Sequence, residues 1–493
     1  MTSQSVRRPA RAQLDLVAGE WREPTEALGG AIDDPNTGEP MQDQRATRED
    51  TVELALRAAL SLHTTGSWAD SPLEARIALL DDIAIGLAAR VDELAYEDAM
   101  ATGNGIRTTR QMASYIGPRV SSARRQLVEV GVADDLSQGG RPVRLLRRPL
   151  GPAAILAPWN APTFVAVAKV ASAVAAGCPV ILKPSEWAPA GCQIVAEVVH
   201  ESLLRTGLPT DVFQMVHGAA VVGSQLASDP RIRAISFTGG ASGGHAVAIA
   251  AAPHLTALQL ELGGHNPAIV LPDADIEATA AALIEGMTKL NGQWCEAPGK
   301  ILVPANIHDD LVDALMVTMS SLAIGHCLDD STDVGPMAYR LHRDRLQGAI
   351  NELVAAGGSA RTSSTLPDLG GWFLAPTLVT GLPVDRSLRE LFGPVVTIHA
   401  VGSVEEAIRA ANGPETGLAG FVFGSEPGEA MRVAALIPAG EVRINGCKLA
   451  DLADASEQSF WNSAGIGGHG PTEMVRFFQG RQIIGVDDPA LPI

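Results

Sequence analysis

The stretch Asn291-Gly292-Gln293-Trp294-Cys295-Glu296-Ala297-Pro298-Gly299-Lys300 decides the reading of this chain. It sets a cysteine among small, turn-forming residues just ahead of the apolar run Ile301-Leu302-Val303, where its sulfur can be presented in a pocket. Thiolate is the attacking form of cysteine, so such a residue needs a base or a positive field nearby. A candidate base lies upstream in Leu260-Glu261-Leu262-Gly263-Gly264, where glycines after a carboxylate let the backbone approach a cleft closely. Each signal alone has a plainer reading: a lone cysteine is commonly an inert buried side chain, and a lone Glu a solvated charge.

Together the two motifs resemble the aldehyde dehydrogenase superfamily, whose hallmark is Glu-Leu-Gly-Gly followed by a nucleophilic cysteine 34 residues later; here 295 − 261 = 34. Further matching segments run from about residue 15 to about residue 485. The resemblance implies an α/β fold of two parallel-sheet domains, a Rossmann-like cofactor domain and a catalytic domain, with a small oligomerisation ribbon. It implies NAD(P)-dependent oxidation of a small-molecule aldehyde to a carboxylic acid through a cysteine thiohemiacetal and thioester, in a homodimer or homotetramer. The CoA-acylating branch usually lacks the glutamate base, so Glu261 argues for the hydrolytic one. The reading from another class is a non-catalytic protein of the same fold serving as a scaffold or binding module.

Composition bounds the alternatives. At 493 residues the chain is too long for one core and should divide into two or three domains. A net charge of −19 and a pI near 5.0 argue against nucleic acid and anionic membrane as partners. No stretch is long and apolar enough for a transmembrane helix. The basic segment Arg7-Arg8-Pro9-Ala10-Arg11 has no apolar run behind it and reads as a disordered tail, not a signal peptide. The cysteines Cys178, Cys192, Cys295, Cys327 and Cys447 are odd in number and contain no Cys-x-x-Cys, which fits a reducing cytoplasm without disulfides or zinc.

Along the chain, Trp21 and Asp34-Pro35-Asn36-Thr37-Gly38-Glu39 suggest a small hairpin region. Ser71-Pro72-Leu73-Glu74 reads as a capping box opening a helix with Leu80, Ile83, Ala84, Leu87, Val91 and Leu94 on one stripe. From about Arg147 strands and helices alternate: strands 153–157, 180–182, 213–216 and 234–237, with helices 163–176 and 191–206 among them. This alternation implies a parallel sheet covered on both faces, which binds dinucleotides at the carboxyl ends of its strands. No Gly-x-Gly-x-x-Gly follows the first strand. A second α/β pattern holds strands 268–271, 301–303 and 395–399 with helices from about 276 and near 309–322. The expected division is 1–130 and 148–260 for the cofactor domain and 261–450 for the catalytic domain. Residues 131–147 and 451–493 supply the ribbon and a C-terminal substrate-funnel segment.

The resemblance assigns roles residue by residue. Cys295 is the nucleophile and Glu261 the general base that activates the hydrolytic water. Asn160, in Pro158-Trp159-Asn160, supplies an oxyanion donor with the Cys295 backbone N–H, and Trp159 borders the cofactor; an Asn capping the next helix is the other reading of residue 160. Lys183 and Glu186 meet the adenosine ribose, the carboxylate favouring NAD over NADP; bare sequence offers a surface turn instead. Phe237-Thr238-Gly239-Gly240-Ala241-Ser242-Gly243-Gly244 occupies the place of Phe-Thr-Gly-Ser-Thr-x-x-Gly, so backbone at Gly239, Gly240 and Gly244 should face the pyrophosphate, with Gly240 lacking the usual serine hydroxyl. Glu390 should hold the nicotinamide ribose and Phe392 should wall the nicotinamide. No metal is expected. His265, Lys300 and segment 459–467 depart from the family pattern, and Trp294 with Phe460 should form an apolar entrance. The adjacent His326 and Cys327 read as a loop histidine and a core cysteine.

Overall fold

Short runs of Val, Ile, Leu and Ala read as strands buried on both faces, the habit of parallel sheets covered by helices. The computed structural model describes residues 10–386, 389–450, 452–453, 455–471 and 473–488. Two main sheets carry it. The first has eight strands in the order Glu20–Arg22, Asp15–Val17, Phe213–Met215, Val180–Lys183, Ala153–Leu156, Ala234–Gly239, Ala257–Leu262 and Gly465–Ile466. Its five central strands are parallel, and both flanks are antiparallel. The second has seven strands in the order Ser359–Arg361, Thr377–Thr380, Val395–Val401, Pro298–Pro304, Asn266–Val270, Ala419–Phe423 and Glu441–Ile444, parallel except at the first.

Topology positions the site. In the first sheet, chain order runs outward in one direction from Ala153–Leu156 and in the other from Ala234–Gly239. The crevice outside the carboxyl ends of strands at such a reversal is where open α/β sheets bind ligands. It receives Trp159 and Asn160 from one strand end and Gly239 and Gly240 from the other. Only Gly263-Gly264-His265 separates the last parallel strand of this sheet from the first strand of the second, so Glu261 sits where the sheets meet.

Helices Leu73–Ala88, Ile116–Val130, Pro162–Ala176 and Ala190–Thr206 cover one face of the first sheet around Trp68, Leu80, Val170 and Phe213. Glu49–Thr64 covers the other face. Each such large apolar side chain, fully buried, contributes roughly 1.5–3 kcal/mol. Ala133–Asp135, Val143–Pro149 and Gln479–Gly485 form a separate three-stranded antiparallel sheet with Ile483 and Ile484 exposed. The hairpin 26–46 forms as expected, with Gly38 at φ +76° in its turn.

Three expectations need correction. Ser71 is not a helix cap: Leu73–Ala88 starts without a side-chain cap, and Ser71 Oγ accepts from Arg76 Nε at 3.2 Å. The apolar stripe belongs to two helices, because Arg90 leaves helical geometry (φ −115°, ψ 21°) as its guanidinium pairs with Glu93 at 2.6 Å and Glu197 at 2.7 Å. Val91 and Leu94 therefore lie on the next helix, Val91–Thr102. Arg11 is tied to Glu93, to Glu197 at 2.9 Å and to Glu97 at 3.6 Å, so it is no free tail; Arg7, Arg8 and Pro9 lie outside the described residues. His326 Nδ1 accepts from the Leu328 N–H, and Cys327 is buried against Asn36, so the two form no dyad.

Candidate active site

Cys295 is presented by a strained turn. After the helix Ile276–Thr288 the backbone passes through three consecutive left-handed residues, Leu290 (φ 50°), Asn291 (φ 56°) and Gly292 (φ 74°). Left-handed geometry is costly for Leu and tolerable for Asn, so surrounding contacts must impose it. They are two buried amides. Asn291 Nδ2 donates to the carbonyls of Gly103 (2.8 Å) and Pro336 (2.9 Å), and its Oδ1 accepts from Gly335 N–H. Gln293 Nε2 donates to Thr102 O at 3.0 Å, and its Oε1 accepts from Ala338 N–H at 2.9 Å. Downstream, Asn266 Nδ2 donates to the carbonyls of Cys295 (2.8 Å) and Ala297 (2.9 Å). At Gly292 a Cβ would run into the backbone of Gly393 and Pro394, so only glycine fits.

Cys295 is partly buried between Trp294 and Phe460, while the other four cysteines are fully buried. Burial, and then the charges of Glu296, Glu261 and Glu390, push its thiol well above the usual range. Attack therefore requires a proton acceptor. Asn160 Nδ2 donates to Gln293 O at 2.9 Å, leaving its second N–H available toward the cleft. The helix after it begins at Pro162 with Ala161 as uncapped N-cap, so the capping alternative for Asn160 does not hold.

Glu261 lies on the last parallel strand and is held from three sides. Lys169 Nζ is 3.3 Å from Oε2, His469 Nδ1 is 3.8 Å from Oε1, and Thr238 Oγ1 donates at 3.3 Å. Burial disfavours its charge, but Lys169 and His469 outweigh burial and hold the carboxyl far below the usual range. Lys169 is itself buried and its pKa lowered by burial, opposed by Glu261.

Glu390 Oε1 is buried without a hydrogen-bond partner among the described residues, and burial pushes this carboxyl up to about 8. Phe392, at φ 62°, lies edge-on to Trp159 with centroids 5.4 Å apart, and Trp159 also meets His342 and Tyr339. Lys183 Nζ donates to Pro184 O at 3.0 Å and lies 4.0 Å from Glu186 Oε2. The helix Ala241–Ala251 begins at Gly240, where an added Cβ would meet nothing within 4 Å, so the missing serine reflects no lack of room. An orphaned carboxyl oxygen, an open helix N-terminus and an aromatic wall at the sheet reversal supply an acceptor, donors and a surface of the kind a nicotinamide dinucleotide needs.

Every residue expected at the site lines one continuous cleft of about 2610 Å³: Cys295, Glu261, Asn160, Trp159, Lys183, Glu186, Gly239, Gly240, Glu390 and Phe392, but not Gly244, which packs on Leu262. Residues 21–483 match the sequence profile described as the aldehyde dehydrogenase family. The chain belongs to the aldehyde dehydrogenase family.

It is 33% identical over 443 residues to geranial dehydrogenase of Castellaniella defragrans, covering 87% of this chain and 90% of that one. It is 30% identical to a 3-succinoylsemialdehyde-pyridine dehydrogenase of a Pseudomonas species, with 87% and 90% covered. Among solved structures, aldehyde dehydrogenase C of Pseudomonas syringae, a mutant holding NAD+ and octanal, superposes with TM-score 0.88 at 28% identity over 96% of each chain. Betaine aldehyde dehydrogenase of Staphylococcus aureus with NAD+ gives 0.89 at 27%, covering 98% of this chain and 96% of that one. This aldehyde dehydrogenase is thus an oxidoreductase that converts an aldehyde to a carboxylic acid with a nicotinamide cofactor, and the scaffold reading is not favoured.

The structure also gathers residues the sequence reading left without a role: Lys169, His469, Thr238 and Glu296. Lys169 had a signal, a lone charge in an otherwise apolar helix. Glu296 had one too, a carboxylate directly after the cysteine. One expectation about the entrance changes. Phe460 packs with Leu418 and Ala464 behind the Cys295 side chain, not at the mouth. Lys300 donates to Ala410 O at 2.8 Å and does not line the cleft.

Proposed function

We propose that this enzyme works hydrolytically, with Cys295 as nucleophile, Asn160 as oxyanion donor and Glu261 as the base for water, using NAD in preference to NADP. The observation that carries the reading is that these three side chains share one cleft with the open helix N-terminus at Gly240 and the orphaned Glu390 carboxyl. The Cys295 thiol proton passes by way of Glu261 to solvent, the sulfur attacks the carbonyl carbon, and the oxygen that gains the electron pair is met by the free Asn160 N–H and the Cys295 backbone N–H. Bound NAD supplies the hydride acceptor. Trp159 and Phe392 wall the nicotinamide, Glu390 accepts from its ribose, and Lys183 and Glu186 meet the adenosine ribose. Glu261, kept ionised by Lys169, then takes a proton from the water that hydrolyses the thioester; loosening the ion pair restores its basicity.

Residues 1–130 and 148–260 form the cofactor domain in this reading, and 261–450 the catalytic domain. Residues 131–147 and 451–493 form the oligomerisation ribbon and funnel of a cytoplasmic homodimer or homotetramer. The test is Cys295→Ser: turnover of a panel of aldehydes, followed as NADH absorbance, should nearly vanish while NAD binding by calorimetry persists. Native turnover in the variant removes Cys295 from the chemistry.

A further inference from the structure

Glu296 follows the nucleophile directly in the chain, and its charge acts on the Cys295 thiol. It lines the cleft, and of the charges around Cys295 it acts on the thiol most strongly. Two acidic neighbours of Glu296 are paired: Glu261 with Lys169, and the half-buried Glu441 with Arg443 at 2.5 Å. His469 sits edge-on to Phe460 and faces Glu261. The Glu296 carboxyl makes no hydrogen bond or ion pair among the described residues, although Glu261, Glu441, Arg443 and His469 all surround it. Burial raises its pKa to about 7, so it is charged above that pH and remains short of a donor. Glu296 is half-buried, and a carboxylate partly withdrawn from water without a protein donor gains from any donor that enters the cleft. What remains to satisfy it is whatever enters the cleft.

We propose that Glu296 is a specificity-determining residue: its carboxylate selects aldehydes that bear an ammonium or hydroxyl group a few carbons from the carbonyl, and rejects those that bear a carboxylate there. The proposal rests on Cys295 as the attacked-carbon partner, since it places the substrate beside residue 296. A donor on the substrate supplies the missing hydrogen bond, and an anion meets a like charge that His469 and Arg443 offset only in part. Tenfold discrimination, about 1.4 kcal/mol, is a modest demand on such a pair.

Two readouts test it. At pH 8.5, where the carboxyl is ionised, Cys295 is alkylated with neutral iodoacetamide and anionic iodoacetate, and the label is located by peptide mass mapping. Glu296→Gln should raise the iodoacetate-to-iodoacetamide rate ratio at least tenfold, while Glu296→Asp, which keeps the charge, should stay within threefold of native. In turnover, the kcat/KM ratio of 3-aminopropanal to succinic semialdehyde should fall at least tenfold in Glu296→Gln. Ratios that do not move, including an equal loss for both partners of a pair, overturn the proposal. A native protein labelled at another cysteine, with Cys295 inert, overturns the nucleophile assignment and this inference with it.

Discussion

The link between the two sheets is a sensitive place to perturb cofactor handling. At Gly263 an added Cβ would lie 2.5 Å from Glu390 Cδ and closer still to both carboxylate oxygens. The nearer oxygen, Oε2, would lie 2.1 Å away and ordinary contact begins near 3.4 Å, so Gly263→Ala must displace that carboxyl by 3.4 − 2.1, or about 1.3 Å. Overpacking of this kind typically costs about 1–3 kcal/mol, and misplacement by an ångström at a reacting centre can cost on the order of 10²-fold. Glu390 is the proposed holder of the nicotinamide ribose, so kcat/KM for NAD should fall between roughly 10- and 100-fold. Binding of ADP, which probes only the adenosine and pyrophosphate side, should be unchanged. Steady-state kinetics with calorimetric ADP titration make the comparison. Native kcat/KM in the variant, or ADP affinity lost in parallel with it, would refute the geometry argued for Gly263 and Glu390.

Glu261→Gln should leave a pre-steady-state burst of NADH followed by turnover slowed roughly 10²–10⁴-fold; a steady-state rate at the native level means another group activates the water. The native enzyme should favour NAD over NADP at least tenfold in kcat/KM, because Glu186 opposes a 2′-phosphate, and Glu186→Ser should shift the ratio toward NADP; equal efficiencies or no shift remove that assignment. Asp98, buried with one oxygen unpartnered and accepting from Thr163, has its pKa pushed up by burial to about 7. Between 3.8 and about 7 the native state holds a proton that the unfolded state has lost, so this residue's contribution to stability falls as pH rises through that window and levels off above it. Thermal melts should therefore show Asp98→Asn gaining on the native protein at pH 8 relative to pH 5, and a difference independent of pH would count against the buried proton.

How much of this could be read beforehand follows from the physics of each element. Strands such as Val180–Lys183 and Ala153–Leu156 are buried on both faces, so they stand out as unbroken apolar runs, and the βα alternation fixed the sheet before any contact was known. Strand ends moved by no more than three residues, the largest shift being the start of Pro298–Pro304. The chain break at Arg90 was hidden because its cause is an ion pair to Glu197, 107 residues away, while the apolar spacing continues through it. At the site, Cys295, Glu261 and Asn160 stood out because their segments and spacing resemble the family pattern, and the structure brings all three into one cleft. His469 was not: it reaches Glu261 from 208 residues away (469 − 261), on a short strand whose sequence signals nothing. The ionised state of Glu261 depends on that distant contact as well as on Lys169.

The strand Gly465–Ile466, which completes the first sheet beside Glu261, comes from near the end of the described chain. Order of synthesis then becomes order of assembly. Both parallel sheets can form on the ribosome while Leu260 and Glu261 still present an open edge, and the His469 contact to the base is added only after nearly everything else has folded. A nascent chain therefore carries Cys295 and the strands of the cofactor crevice before His469 can reach Glu261, the proposed base.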